Sequence, residues 1–167
     1  MIVSEIYAIE DCIYYNDTEL TYTSTGTKVF NGILTNFLDV ANTNFELEFD
    51  LKCSNTSSNG GLNVGATSQY TPPSSANYRL FLGTGSNQFS FNNRTNTSSE
   101  SKSGTVTANT YYTMKLTKNG TTVVGYYNNT QIASKTANWL SNYNSYDLYY
   151  ISWGGTTYVK NIKIKVL

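Results

Sequence analysis

Apolar and polar residues alternate along much of this chain. The clearest run is Phe45-Glu46-Leu47-Glu48-Phe49-Asp50-Leu51-Lys52-Cys53, with Phe45, Leu47, Phe49, Leu51 and Cys53 in one register and the four charged residues in the other. A period of two places these sets on opposite faces of a β-strand. One wet face and one dry face is the signature of an antiparallel sheet, because parallel strands buried on both sides read as continuous apolar runs. The stretch from Val159 to Leu167 repeats the device: Ile162, Ile164 and Val166 point one way, Lys163 and Lys165 the other. Shorter strands are expected at 11–16, 28–34, 62–67, 78–83, 88–93, 111–118, 121–128, 131–133 and 146–153.

Turn residues separate them. Lys118-Asn119-Gly120-Thr121 predicts a hairpin with a type I′ turn, and Tyr127-Asn128-Asn129-Thr130 a second tight turn, since Asn tolerates positive φ. Three stretches read as long loops: 54–60, 68–77 with Pro72-Pro73, and the apolar-free 93–104. Only 137–142 resembles a helix, and one short turn is all it supports. Ten or so short strands over 167 residues, without helices, predict a single domain spanning 1–167. Its class is all-β, either a two-sheet antiparallel sandwich or a barrel.

Composition narrows the function. Thr (24), Asn (21) and Ser (18) make up more than a third of the chain, and charged residues only 13%. Such uncharged polar surfaces are common on cell and virus exteriors, so an extracellular, cell-surface or virion location is expected. Eleven basic and eleven acidic residues cancel, which argues against a nucleic-acid binder that must neutralise phosphates. No run approaches the ~20 apolar residues of a membrane span, and the first residues lack the basic and apolar regions of a secretory signal. Two explanations reconcile an exterior composition with that start: a domain of a longer secreted protein, or a virion component released by lysis.

Histidine is absent. This removes the commonest general base and the Ser-His and Cys-His nucleophile pairs. The row Glu46, Glu48, Asp50 is the one arrangement that invites a hydrolase reading, because i and i+2 residues of a strand face the same way at a spacing of about 6.6 Å. With Lys52 among them, a solvated charged face explains the same residues. Gly83-Thr84-Gly85 and Gly154-Gly155 open no helix and read as turns rather than phosphate cradles. No Asp-x-Asp-x-Asp loop exists; a structural calcium held by Asp17 or Asp147 with Asn and carbonyl oxygens stays open, and no other cofactor is expected. Six Asn-x-Ser/Thr sequons (Asn16, Asn55, Asn93, Asn96, Asn119, Asn128) are about what this composition yields by chance. Cys12 and Cys53 both fall on strands. A disulfide closing that loop would add roughly 4 kcal/mol, and two buried thiols suit a core equally well.

Three stretches resemble the concanavalin A-like lectin/glucanase superfamily, particularly its laminin-G-like branch: FELEFDLK (45–52), YYTMKLTKNGTTVVGYYNNTQIAS (111–134) and YDLYYISWGGTTYVKNIKIKVL (146–167). In that group an aromatic-led strand, an Asn-Gly turn, a strand ending in aromatics, a tight turn and a short apolar strand follow in this order, and a Trp-Gly corner leads into the closing strand. The resemblance implies a jelly-roll β-sandwich and a choice among lectins, glucanases and protein-binding domains. Where glucanases of the superfamily place Glu, Asp, Glu mid-chain between tryptophans, this chain has Glu, Glu, Asp early and without Trp nearby. The DCIYYND start and the SWGG ending also resemble adhesin-like domains of methanogenic archaea and tail proteins of their viruses.

Sugar recognition needs flat aromatic faces beside hydrogen-bonding side chains. Arg79 is one of only two arginines, within Tyr78-Arg79-Leu80-Phe81-Leu82. If Leu80 and Leu82 face the core, Arg79 and Phe81 face outward together as a binding platform; the plainer reading is an Arg covering an outer sheet face. Trp139 either stacks on a sugar or plugs one end of the sandwich. Trp153 belongs either to a ligand site or to corner packing, and Tyr70 lies in a loop. The expected function is therefore a non-catalytic carbohydrate-binding or adhesin module for a cell-surface glycan. Its most specific form is the host-receptor-binding domain of a virus tail or fibre, as a homo-oligomer such as a trimer or attached to a larger chain. The alternatives are a structural or protein-interaction domain and, third, a glycan hydrolase.

Overall fold

The computed structural model describes residues 38–66 and 78–167, except for the Trp153 side chain, and the backbone of four short strands before them. Those four are β1 (Ile6–Ile9), β2 (Cys12–Tyr15), β3 (Leu20–Thr23) and β4 (Gly26–Phe30). Next come β5 (Phe45–Cys53), β6 (Asn59–Ala66), β7 (Arg79–Gly85), β8 (Gln88–Arg94) and β9 (Glu100–Ser103). A hairpin β10 (Tyr112–Asn119) and β11 (Thr122–Tyr127) leads to β12 (Thr130–Thr136), a 3₁₀ turn (Asn138–Asn142), β13 (Tyr146–Trp153) and β14 (Thr156–Val166).

These strands form two antiparallel sheets. The first runs β1-β2-β14-β5-β10-β11-β12, with β3 also paired to β14; the second runs β4-β13-β6-β7-β8-β9. Neighbours such as β14 and β5, or β4 and β13, are distant in sequence, so the chain crosses repeatedly from one sheet to the other. The inward residues of both sheets meet in one core: Phe45, Leu47, Phe49 and Leu51 from β5 with Met114 and Leu116 from β10 on one side, and Leu62, Val64, Leu80, Leu82, Phe89 and Phe91 on the other. The result is an antiparallel β-sandwich of jelly-roll type. Each fully buried large apolar side chain contributes about 1.5–3 kcal/mol. Close approach of the sheets depends on Gly125 in β11, where a Cβ would fall 2.6 Å from the Phe91 ring of the opposite sheet. Nearby, the Phe89 ring stacks on Tyr127 at 4.0 Å between centroids and meets Tyr112 edge-on at 4.7 Å.

β5 has the expected bounds and alternation. In β14 the expected alternation carries one irregularity: the register with β5 shifts between Lys160 and Lys163, and Asn161 sits at φ 53°. The extra residue lets both Val159 and Ile162 point inward. Lys118 also lies on the inward register of β10 and is almost fully buried. Its Nζ donates to the carbonyls of Ala41 (3.3 Å) and Thr43 (3.0 Å), and burial pushes its pKa down against the pull of Asp39.

Several expectations need correcting. The stretch 93–104 is not one loop: Glu100–Ser103 forms β9, the edge of the second sheet. β1 and β3 are strands the pattern did not single out. The β10–β11 turn has positive φ at Gly120 (59°) while Asn119 pairs with Thr122, so Gly120-Thr121 are central and the φ signs are those of type II′, not I′. The second turn has positive φ at both Asn128 and Asn129, the type I′ pattern. Cys53 is a free, buried thiol; β14 pairs Cys12 at Lys165 but Cys53 at Thr157, far along the same strand, so the two cysteines are not bridged. Tyr70 and Asp17 lie outside the described residues.

Candidate functional site

β7 reads Arg-Leu-Phe-Leu, and the core takes Leu80 and Leu82. Arg79 and Phe81 are thereby turned to the other face of the second sheet. In β8 the core takes Phe89 and Phe91, which turns Ser90, Asn92 and Arg94 the same way as Arg79. Register then assembles the site. Arg79 lies directly opposite Arg94, and Phe81 opposite Asn92. One strand further out, Asn92 lies opposite Glu100 and Ser90 opposite Lys102.

A groove of about 320 Å³ opens over this end of the sheet, lined by Arg79, Phe81, Asn92, Arg94, Glu100 and Lys102. Asn59, Thr84, Ser86 and Ser98 add further polar wall. Its volume falls at the lower end of the range of small-ligand sites. Arg79 and Phe81 share a face and this groove, yet they do not form an open platform: Arg79 is 6% exposed and Phe81 9%. They are recessed in the floor. Toward the sheet centre the same face is closed, with Asn63, Tyr149 and Ile151 all buried.

The polar groups of the groove are largely prearranged. Ser90 Oγ donates to Glu100 Oε1 at 2.6 Å, and Lys102 Nζ stands 3.7 Å from the other carboxylate oxygen. Asn92 donates through Nδ2 to Ser98 Oγ (2.9 Å) and accepts from the Ser99 amide (3.1 Å). Asn59 Oδ1 accepts from the Ser86 amide at 2.9 Å. Burial lowers the pKa of Arg79, a hydrogen bond to Tyr149 opposes that, and the charge of Arg94 adds to it.

The other sequence candidates are placed elsewhere. Trp139 is 5% exposed in the core, at the 3₁₀ turn. Its Nε1 donates to Asn93 Oδ1 at 2.8 Å, and its ring packs edge-on against Tyr78 at 5.7 Å. Asn92 and Asn93 are neighbours in β8 pointing to opposite faces, so Trp139 lies beneath the sheet that carries the groove. It is a plug of the sandwich, not a groove residue. Trp153 ends β13 opposite Asn59; its side chain is outside the described set. Glu46, Glu48 and Asp50 lie on the outer face of the other sheet, each flanked by lysine. Glu46 is opposite Lys165, Glu48 lies between Lys115 and Lys163, and Asp50 is opposite Lys160. Among the described residues no three His, Cys, Asp or Glu side chains come together as a metal site, and no helix is long and apolar enough to cross a membrane.

Arg94, Asn92, Glu100 and Lys102 were not singled out from the sequence. The signal for Asn92 and Arg94 was present: with Phe89 and Phe91 inward, the alternate positions must face the side of Arg79.

No protein-family model matches the sequence, and no curated protein matches it. Solved structures do share its shape. The galectin LEC-6 of Caenorhabditis elegans matches at a TM-score of 0.53 and 13% identity, over 96% of this chain and 99% of the galectin. A Trypanosoma rangeli sialidase, solved in complex with 2,3-difluorosialic acid, matches at 0.64 and 14% identity, over 98% of this chain but 26% of the sialidase. A botulinum neurotoxin type C, whose route into cells depends on interaction with two ganglioside molecules, matches at 0.56 and 12% identity. The match spans 88% of this chain and 39% of the toxin chain. The chain thus spans well under half the length of the last two proteins. Across that divergence the sandwich is what is shared, and the chain has the concanavalin A-like jelly-roll fold.

Proposed function

We propose that this domain is a non-catalytic carbohydrate-binding module, and that the groove over β7, β8 and β9 is its sugar site. The observation that carries the reading is the recess itself: an aromatic ring, two guanidiniums, an amide and a carboxylate converge on one cavity of small-ligand size. Phe81 offers an apolar face for sugar C–H groups, and the polar wall offers donors and acceptors for hydroxyls. The shared sandwich of a galectin and of a ganglioside-dependent toxin supports the same class of ligand.

Each acid of the Glu46–Asp50 row has a lysine opposite it, which favours a solvated charge ladder over a hydrolase site. The uncharged polar composition favours an extracellular setting, on a cell surface or a virion. In the finest form of the proposal the domain is the host-binding part of a virus tail or fibre. There an oligomer, such as a trimer, would gain avidity from weak individual sites.

The test is a glycan array probed with the folded, labelled chain, followed by binding to intact cells with and without the free oligosaccharide. Binding that the free sugar competes, and that is weakened at least tenfold by Phe81→Ala, is the expected result. A folded sample that binds no glycan overturns the proposal and leaves the structural or protein-interaction reading.

A further inference from the structure

Gly85 ends β7 and lines the groove, on the same face of the strand as Phe81. Its neighbours on the sheet show what a structural glycine looks like. A Cβ at Gly83 would fall 2.1 Å from the Gly60 carbonyl oxygen, and one at Gly61 would fall 2.2 Å from that of Leu82. A Cβ at Gly85 would meet nothing closer than 3.6 Å, an ordinary contact. The φ of Gly85 lies outside the left-handed region, and the positive φ values of the following turn belong to Ser86 (52°) and Asn87 (67°). Glycine in a strand forfeits stability relative to alanine. Neither backbone nor packing accounts for that cost here, and such a local exception inside a cavity points to a ligand.

The space left by the missing side chain has a definite chemistry. Asn59 Oδ1 and Glu100 Oε1 each lie 3.6 Å from the Cβ position, and Lys102 Cε lies 3.7 Å from it. Two oxygens and a methylene thus border a notch that one carbon fills. Asn59 Oδ1 already accepts from the Ser86 amide at 2.9 Å, and Glu100 Oε1 from Ser90 Oγ at 2.6 Å. Each oxygen has a second lone pair for a further donor. The matching group is one carbon long and ends in a hydroxyl: its CH₂ packs against Lys102 Cε and its O–H donates to Glu100 or Asn59. The exocyclic hydroxymethyl arm of a hexopyranose has this form, whereas a hydroxyl borne directly on the ring is shorter by that carbon.

We infer that Gly85 is the specificity-determining residue of the groove, and that its notch receives the hydroxymethyl arm of a hexose. This rests on the carbohydrate reading above and names its sugar class. Phe81 and Gly85 are four residues apart on β7, about 13 Å along the strand. The ring against Phe81 and the arm in the notch therefore belong to different residues of one oligosaccharide.

The test compares the wild-type chain with Gly85→Ala on one glycan array and in calorimetric titrations with matched trisaccharides. The titrated probes are cellotriose against xylotriose, which lacks only the hydroxymethyl arms, and maltotriose and mannotriose each against its 6-deoxy form. In at least one pair the hexose member should bind the wild type at least tenfold more tightly than its partner. The methyl of Gly85→Ala should fill the notch, bring the hexose member down to its partner's level and leave the partner unchanged. The variant should melt at or above the wild-type temperature. Where no trisaccharide binds, the array decides: loss of its signals in Gly85→Ala, without a lower melting temperature, supports the notch. Array binding that survives the substitution, or equal affinity within every pair that binds, overturns the inference and leaves the carbohydrate reading intact. A lower melting temperature shows that the fold needs the glycine and also overturns it. A blank array and blank titrations with the folded wild type overturn both readings.

Discussion

The two sheets present outer faces built from the same alternation and finished in opposite ways. On the first sheet, the outward acids of β5 face lysines of β14 and a lysine and threonines of β10, all half-exposed or exposed. Lys163 Nζ reaches Glu48 at 3.3 Å, and Asp50 accepts from Thr113 Oγ1 (3.0 Å) and Asn161 Nδ2 (2.8 Å). Lys52 and Lys160 lie 4.7 and 3.9 Å from the centroid of the Tyr111 ring. On the second sheet, the outward residues are buried and mostly uncharged, and the exceptions gather at one end around a recess. A charge ladder in water costs little and directs nothing. Buried polar groups, and two arginines set directly opposite each other, cost more than such a ladder. The second face is therefore where a ligand is to be sought.

The largest expected effect comes from altering the tight backbone of that second face. Gly83 lies opposite Gly61, and a Cβ at position 83 would fall 2.1 Å from the Gly60 carbonyl oxygen. Gly83→Ala should cost about 3 kcal/mol, because backbone rather than a flexible side chain would have to move. A melting temperature lower by roughly 9 °C is expected. An unchanged melt would mean that this face yields as readily as the ladder does.

A smaller effect compares like with like. Ser90 is fully buried and donates to Glu100; Thr113 is half-buried and donates to Asp50. Deleting a hydroxyl that serves a carboxylate should cost about 1.5 kcal/mol in Ser90→Ala, where water does not readily replace it. The cost should be about 0.5 kcal/mol in Thr113→Val, where water can. Denaturant unfolding of the two variants reads the difference. Equal losses would show the faces to be equally hydrated.

The contrast also sets what the sequence could reveal. β5 was legible residue by residue because one of its faces meets water, which keeps the period of two clean. In β13 both registers are apolar, Tyr149 and Ile151 on one side and Leu148 and Tyr150 on the other, because both faces are buried. Pattern alone could not assign a face there. Arg79 and Phe81 could be placed on the outward side because Leu80 and Leu82 fix the parity of β7. Arg94 could not be matched to Arg79, because cross-strand register depends on the length of the 85–88 turn and leaves no mark in either strand. β9 was missed for another reason: Glu-Ser-Lys-Ser carries no apolar residue, and pairing with β8, not burial, makes it a strand. Trp139 was left between two roles until Asn93 supplied the partner for its indole.

The smallest expected effect lies on the ladder. Glu48 is the acid best framed for catalysis by sequence, and the structure sets it between Lys115 and Lys163 with a third of its side chain exposed. Glu48→Gln exchanges a solvated ion pair for a solvated hydrogen bond, so stability should change by less than about 0.5 kcal/mol. Glycan binding in the proposed groove should be unaffected, since that groove lies on the other sheet. A reducing-sugar assay on polysaccharides should show no release by the wild-type chain. Release by the wild type that Glu48→Gln abolishes would move the functional face from the second sheet to the first. Loss of binding without any release would show instead that the two faces are coupled through the core, as a rigid sandwich with independent surfaces does not allow.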